Sequence, residues 1–122
     1  MEQIKRASVA VLMATYNGEK YLEKQMESIL RQSWDDLVVV IRDDGSTDLT
    51  LSILKRFSDI DSRIVVLKNT NSKHGAYLNF WNLLSFAKEN IEADYYFLSD
   101  QDDIWKTDKI TESIEKIKQY SE

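Results

Sequence analysis

Four apolar runs of strand length, each followed by a stretch of helical length, constrain this chain more than any other feature. The runs occupy residues 8–15, 37–44, 63–69 and 94–100. A continuous apolar run is typical of a strand that is buried on both faces of a parallel sheet. Because parallel neighbours need long crossover connections, the alternation predicts an α/β fold with a mostly parallel sheet and helices on both faces.

The stretches that follow the runs carry apolar residues at helical spacing, so they are predicted helices. They occupy residues 19–32, 49–57, 76–90 and 107–120. In the last one, Thr107 or Asp108 is the predicted N-cap. The apolar stripes predicted to face the core are formed by Tyr21, Leu22, Met26, Ile29 and Leu30 in the first helix and by Phe80, Trp81, Leu83, Leu84 and Phe86 in the third.

The composition narrows the function classes. With 122 residues, 43% of them hydrophobic and 30% charged, the chain is predicted to form one folded domain. Its net charge of −5 and the lack of a basic run argue against nucleic acid as a partner. The absence of cysteine excludes disulfides and thiolate metal sites and fits a reducing compartment. No signal peptide or membrane span is recognisable, so we expect a cytoplasmic location.

Polar segments follow all four predicted strands. They read "TYNG", "RDDGSTD", "KNTNSKHG" and "SDQDDIW". In a parallel α/β sheet, ligands bind beyond the carboxyl ends of the strands. We therefore expect these four strand tips to lie along one edge of the sheet and to contain any ligand site.

The fourth tip places Asp100, Asp102 and Asp103 within four positions. Two carboxylates about 4 Å apart repel each other by about 4 kcal/mol at an effective dielectric of about 20, so such a cluster favours a bound cation. Mg²⁺ commonly takes one or two protein carboxylates and completes its shell with water and phosphate oxygens. The alternative is a solvated turn in which one Asp caps the next helix. A second acidic tip, Asp43 and Asp44, favours the site.

The remaining candidates also have ordinary interpretations. The segment "DDGSTD" is compatible with a tight turn that has Gly45 at positive φ, and Asn17 with Gly18 is a common turn signal. His74, the only histidine, has no Ser or Cys partner at a recognisable spacing, so a nucleophilic triad is not supported. No glycine-rich phosphate-binding motif is present. Trp105 either lines the site or packs in the core.

Three segments together resemble a known family. "VLMATYNGEKYLEKQMESILRQSW", "VVVIRDDGSTD" and "FLSDQDDIWKTDKI" are similar, in this order, to the N-terminal, nucleotide-sugar-binding part of family 2 glycosyltransferases, and within that family to its rhamnosyltransferase-like branch. The resemblance runs from about residue 8 to residue 109. It implies a GT-A fold, which is Rossmann-like, cut after the fourth βα unit, with residues 1–122 forming a single donor-binding subdomain.

The resemblance implies roles for residues of the first two tips. Thr15 and Tyr16 would border a pyrimidine base, with Asn17 in the same nucleotide-binding segment. Asp44 would accept a hydrogen bond from the imide N–H of the base, and Asp43 would lie beside it.

The resemblance also implies roles for the other two tips. Asp100 would face the ribose or the metal, and Asp102 would ligate Mn²⁺ or Mg²⁺ that bridges the diphosphate. Asp103 would support the loop. Lys73 and His74 lie on the third tip, where a group that contacts the base or a phosphate is expected.

Two departures from the family pattern matter. Ala14 stands where many members have proline, which removes no chemical group. Family members are also substantially longer, and their acceptor-binding half contains the general base that an inverting transfer needs. This implies that the base lies beyond Glu122, that a polysaccharide or lipid-linked acceptor binds through that other half, and that the chain alone transfers no sugar.

The resemblance therefore implies the donor domain of an inverting enzyme of surface polysaccharide biosynthesis, with dTDP-rhamnose or a UDP-sugar as donor. The full-length protein would be cytoplasmic or peripheral to the inner face of the membrane. An uncovered sheet edge would let the chain form a homo-oligomer. Two other classes remain as alternatives: a receiver-like signalling module, and a catalytically silent nucleotide-binding or scaffold domain.

Overall fold

A computed structural model describes residues 5–70, 73–100 and 102–120 of the chain. Its elements follow the predicted alternation of strand and helix. In chain order they are β1 (Lys5–Arg6), β2 (Val9–Thr15), α1 (Leu22–Leu30), β3 (Leu37–Asp43), α2 (Thr50–Ile60), β4 (Ile64–Lys68), α3 (Ala76–Asn90), β5 (Ile91–Glu92), β6 (Tyr95–Ser99) and α4 (Lys109–Tyr120). The two-residue strands β1 and β5, which pair with each other, were not predicted because their residues carry no apolar run.

The four long strands form one sheet in the order β4-β3-β2-β6, and every neighbouring pair is parallel. At the carboxyl end, Thr15 of β2 is in register with Asp43 of β3, which is in register with Lys68 of β4. On the other side of β2, Met13 is in register with Ser99 of β6. The four polar tips therefore follow strands that end at one edge of the sheet, as predicted.

Alternating residues of the central strands enter two separate hydrophobic cores. Val9, Val11 and Met13 of β2 pack on one face with residues of α1, α2 and α4. Ala10 and Leu12 pack on the other face with Leu83 and Ala87 of α3 and their neighbours. Both faces of β2 and β3 are buried, which explains why these strands are uninterrupted apolar runs. The predicted α/β class with helices on both faces is confirmed.

The predicted apolar stripes were wrong at two positions. Tyr21 precedes α1 and remains 48% exposed, because the helix begins at Leu22. Trp81 is 49% exposed, because α3 turns Asn79, Leu83 and Ala87 toward the sheet at a spacing of four residues. Phe80, Leu84 and Phe86 are partly buried at the flanks of that contact.

In the part of the chain that the structure describes, no helix is long and apolar enough to span a membrane.

Candidate functional site

The second tip is held by Asp43, which is fully buried and accepts four hydrogen bonds. Its Oδ1 accepts from Thr15 Oγ1 at 2.8 Å and from Ser46 Oγ at 2.6 Å. Its Oδ2 accepts from the backbone N–H groups of Gly45 at 3.0 Å and Ser46 at 2.8 Å. Gly45 has φ +87°, a left-handed conformation that glycine adopts without a steric penalty. Asp43 thus shapes the tip, and its direct contact with a nucleotide stays a prediction.

The neighbouring Asp44 also keeps its carboxylate away from bulk water, at 4% exposure. Asn69 Nδ2 donates to Oδ1 at 2.9 Å, and the backbone N–H of Gly75 donates to Oδ2 at 2.8 Å. Burial raises the pKa of Asp44, but these hydrogen bonds and the charges of His74 and Arg42 outweigh it, so the pKa lies below its usual value. At neutral pH Asp44 is therefore an anionic hydrogen-bond acceptor.

A cleft of about 380 Å³ opens between the first, second and third tips. This volume lies within the range of small-molecule sites in proteins. The cleft is lined by Ala14, Thr15, Tyr16, Asp44, His74, Gly75, Ala76 and Asn79. The structure therefore brings together Thr15, Tyr16, Asp44 and His74, four residues that the sequence analysis placed at one site.

Asn79 was missed by the sequence analysis. Its amide is buried in α3, where Nδ2 donates to the backbone carbonyl of Thr15 at 3.2 Å and Oδ1 accepts from Arg42 Nη1 at 2.9 Å. Asn79 thus fixes the floor of the cleft to two strands. A polar residue one turn before Leu83, on the face of α3 that packs on the sheet, was the signal available in the sequence.

Asn17 stabilises the first tip from within. Its φ of +48° is left-handed, a conformation that asparagine tolerates better than most residues. Its Oδ1 accepts from the backbone N–H of Thr47 at 2.9 Å, and its own N–H donates to Ser46 Oγ at 2.8 Å. Direct contact of Asn17 with a nucleotide stays a prediction, as does the pyrimidine-bordering role of the half-exposed Tyr16.

The third tip is described only in part, because residues 71 and 72 lie outside the described ranges. The backbone carbonyl of Lys73 accepts from Asn69 Nδ2 at 2.7 Å. His74 Nδ1 lies 3.0 Å from the backbone oxygen of Asp44, so the imidazole lies against the second tip. Of the two residues predicted here, the structure places His74 on the cleft, while the role of Lys73 stays a prediction.

The fourth tip is an exposed turn that follows β6. The backbone N–H of Asp103 donates to the carbonyl of Asp100 at 3.2 Å, and Asp102 has φ +69°. Asp100, Asp102 and Asp103 are all exposed, and residue 101 lies outside the described ranges.

The donor chemistry of this turn decides what kind of metal site it fits. Across residues 5–70, 73–100 and 102–120, no three His, Cys, Asp or Glu side chains are grouped so that they could hold a metal. The turn presents the exposed Asp100 and Asp102, and Mg²⁺ commonly takes one or two protein carboxylates and fills its remaining positions with water and phosphate oxygens.

Trp105, left open between site and core, packs in the core and also lines a cavity next to Asp103. It is buried and packs at 6.2 Å, between ring centroids, from Phe97 of β6. Lys109 Nζ lies 5.2 Å from the centre of its ring, within the range of a cation–π interaction. Core packing thus explains why an aromatic residue follows the acidic turn.

Comparison with known families gives a direct result. Residues 10–122 match the model of the family described as glycosyl transferase family 2. The chain belongs to glycosyltransferase family 2.

Several curated relatives extend this assignment. The chain is 45% identical over 105 residues to the dTDP-rhamnosyl transferase RfbG of Shigella flexneri, a match that covers 84% of the chain and 36% of the relative. It is 36% identical over 108 residues to the putative teichuronic acid biosynthesis glycosyltransferase TuaG of Bacillus subtilis, which covers 88% of the chain and 40% of the relative. The chain spans somewhat more than a third of the length of these relatives. The resemblance to the rhamnosyltransferase-like branch is confirmed.

Solved structures support the fold of this family 2 member. The Staphylococcus aureus TarS 1–349 structure with UDP matches with a TM-score of 0.78 at 24% identity, covering 93% of this chain and 32% of the 1–349 chain. The mannosyltransferase PcManGT of Pyrobaculum calidifontis, solved with GDP-Man and Mn²⁺, matches with a TM-score of 0.73 at 24% identity, covering 93% of the chain and 33% of that protein. The predicted GT-A fold is confirmed.

The receiver-like alternative does not fit the strand order. Flavodoxin-like folds, to which receiver domains belong, place the first long strand between the second and the third, in the order 2-1-3-4-5. Here the first long strand, β2, lies between the second and the fourth, β3 and β6, and β4 is at the outer edge beside β3. The family assignment and the sheet order together exclude a receiver-like module.

Proposed function

We propose that this chain is the donor-binding part of an inverting glycosyltransferase, and that it binds a nucleoside-diphosphate sugar together with Mn²⁺ or Mg²⁺. One observation carries the proposal: a buried, anionic Asp44 lines a cleft at the same sheet edge that ends in the Asp100 and Asp102 carboxylates. The family assignment, the UDP complex of TarS and the GDP-Man and Mn²⁺ complex of PcManGT support it.

The base of the nucleotide would occupy the cleft. An Asp44 carboxylate that stays ionised can only accept hydrogen bonds, so it favours a base with a ring N–H, such as the imide of uracil or thymine. At that position cytosine has an unprotonated ring nitrogen. This nitrogen is itself an acceptor, so it cannot donate a hydrogen bond to the carboxylate. Thr15 and the half-exposed ring of Tyr16 border the same cleft and would contact the base.

The diphosphate would lie toward the acidic turn. A divalent cation held by Asp100 and Asp102 would neutralise negative charge that develops on the diphosphate as it leaves. Such a cation would also offset the repulsion that the net charge of −5 and the two acidic tips exert on the diphosphate.

Relatives that contain this chain's counterpart extend well beyond it, so we assign acceptor binding and the general base to the rest of a longer protein. The acceptor would be a polysaccharide or a lipid-linked saccharide of surface polysaccharide synthesis. The donor sugar would be rhamnose from dTDP-rhamnose or the sugar of a UDP-sugar, consistent with the dTDP-rhamnosyl transferase among its relatives. The 122-residue chain is then expected to bind donor without transferring it.

Calorimetric titration tests this proposal. The chain is titrated with dTDP, UDP and GDP, each with and without Mn²⁺, and the titrations are repeated on Asp102→Asn and on the matched control Asp103→Asn. Asparagine tolerates the left-handed φ of Asp102, so the first variant removes the charge and leaves the turn intact. Binding of a pyrimidine diphosphate that needs Mn²⁺, weakens in Asp102→Asn and persists in Asp103→Asn supports the proposal. No binding of any diphosphate would contradict it and favour a scaffold domain that retains the fold without binding a nucleotide.

A further inference from the structure

Helix α1 and the residues just after it carry buried polar side chains beside the apolar stripe. Gln25 and Ser28 lie on α1, Gln32 follows two residues after its end, and each of the three is at most 5% exposed. We call these three residues the α1 polar ladder. The sequence analysis found only the apolar stripe.

The lower part of the α1 polar ladder holds the start of α4. Gln32 Nε2 donates to the backbone carbonyl of Lys106 at 2.6 Å, and Gln32 Oε1 accepts from the backbone N–H of Ile110 at 3.1 Å. Ser28 Oγ accepts from the backbone N–H of Trp105 at 3.1 Å. These bonds satisfy backbone groups that would otherwise be buried without partners, so this part of the ladder has a structural role.

The upper part of the ladder reaches the acidic turn. Gln25 Nε2 donates to Ser99 Oγ at 3.1 Å and to the backbone carbonyl of Asp100 at 2.5 Å. The same carbonyl accepts the N–H of Asp103, the bond that closes the turn. Gln25 Oε1 is buried and has no partner among the residues that the structure describes.

The turn needs such support because Asp102 has φ +69°. This conformation is uncommon for a residue with a Cβ atom and persists where the surroundings fix it. The Asp100 carbonyl lies at the first position of the turn, so fixing it limits where the carboxylates of both Asp100 and Asp102 can lie.

We propose that Gln25 is a positioning residue for the cation-binding turn: its amide holds the Asp100 carbonyl and thereby keeps the Asp100 and Asp102 carboxylates arranged for a divalent ion. This inference rests on the proposed function. If the whole ladder had only a structural role, loss of the Gln32 side chain would disturb the protein at least as much as loss of the Gln25 side chain. Gln32 makes three hydrogen bonds through its side chain, and Gln25 makes two.

Two matched variants separate these roles, Gln25→Met and Gln32→Met. Methionine is similar to glutamine in length and shape, so each variant removes hydrogen bonds and leaves little change in packing. At position 25, within α1, methionine is also a good helix former. The measured quantity is the ratio of the Kd for UDP or dTDP without Mn²⁺ to the Kd with Mn²⁺, from calorimetry. Melting temperatures of both variants report the loss of stability.

We expect Gln25→Met to lower this metal-dependent ratio about fivefold, the equivalent of one net hydrogen bond, and to leave the metal-free Kd unchanged. Gln32→Met should lower the melting temperature at least as much and change the ratio less than twofold. Equal effects of the two variants on the ratio, or no effect of Gln25→Met, would overturn the inference. If Gln25→Met does not fold, Gln25→Asn replaces it, because its amide is one methylene too short to reach the Asp100 carbonyl.

A second readout does not depend on nucleotide binding. If the unmodified chain shows no metal-dependent binding, the proposed function fails, and amide hydrogen exchange then decides on the turn itself. Faster exchange of the Asp103 N–H in Gln25→Met than in Gln32→Met would support the inference that the Gln25 amide stabilises the turn through the Asp100 carbonyl. Unchanged protection of that N–H would overturn it.

Discussion

Replacement of Asp43 should show that one of the two adjacent acids at the second tip is structural. Asp43→Ala removes an acceptor of four hydrogen bonds from a fully buried position. Hydrogen bonds to a charged group contribute about 1.5–3 kcal/mol each, but these four share one carboxylate and cannot be summed. The backbone N–H groups of Gly45 and Ser46 would also lose their partner. We expect the free energy of unfolding to fall by about 3–4 kcal/mol.

Asp43→Asn should be far milder, because the geometry can accommodate an amide. An amide oxygen in the place of Oδ2 can accept from both backbone N–H groups. The amide nitrogen, in the place of Oδ1, can donate to the hydroxyls of Thr15 and Ser46, which are able to accept. Only the charge is lost, so we expect a decrease of about 1 kcal/mol in the free energy of unfolding.

Urea unfolding followed by circular dichroism measures both changes. Asp36→Ala is the control, because Asp36 is exposed and its carboxylate accepts a single hydrogen bond, from the backbone N–H of Ser8 at 3.0 Å. This control should change the free energy of unfolding by less than about 1 kcal/mol. The reasoning is refuted if Asp43→Ala is no more destabilising than Asp36→Ala, or if Asp43→Asn is as damaging as Asp43→Ala.

Two further predictions concern pH and association. Because the folded-state pKa of Asp44 is lowered, its ionised form stabilises the fold above the unfolded-state pKa of about 3.9, and this contribution is lost as the pH falls through the lower folded value. In urea unfolding, the free energy of unfolding of Asp44→Asn should therefore fall less steeply than that of the unmodified chain as the pH decreases below about 4. An equally steep fall in the variant would contradict this. At the β6 edge, Tyr96 and the 55% exposed Leu98 line an apolar groove, so the chain should self-associate in sedimentation experiments and Leu98→Lys should reduce that association. A monomer at all concentrations would show the edge to be inert.

Much of the candidate site could be placed from the sequence because strand ends are easy to locate. In the structure β2 ends at Thr15 and β3 at Asp43, within one residue of the predicted runs, and the parallel arrangement puts their tips side by side. The residues missed were those whose partners lie far away in sequence. Asn79 binds the carbonyl of Thr15, and Gln25 binds the carbonyl of Asp100, 75 residues away. No local pattern reveals such contacts.

The sequence by itself determined the α/β class, the order of the long strands along the chain and the edge that contains the site, because the central strands β2 and β3, buried on both faces, must be continuous apolar runs. Only the tertiary structure decided which acid of the pair 43–44 is enclosed by the turn and which lines the cleft. Adjacent residues at a strand end point in different directions, and their surroundings depend on distant groups. Thr15 and the 45–46 turn enclose Asp43, whereas Asn69 and Gly75, from the loop before α3, hold Asp44 beside the cleft.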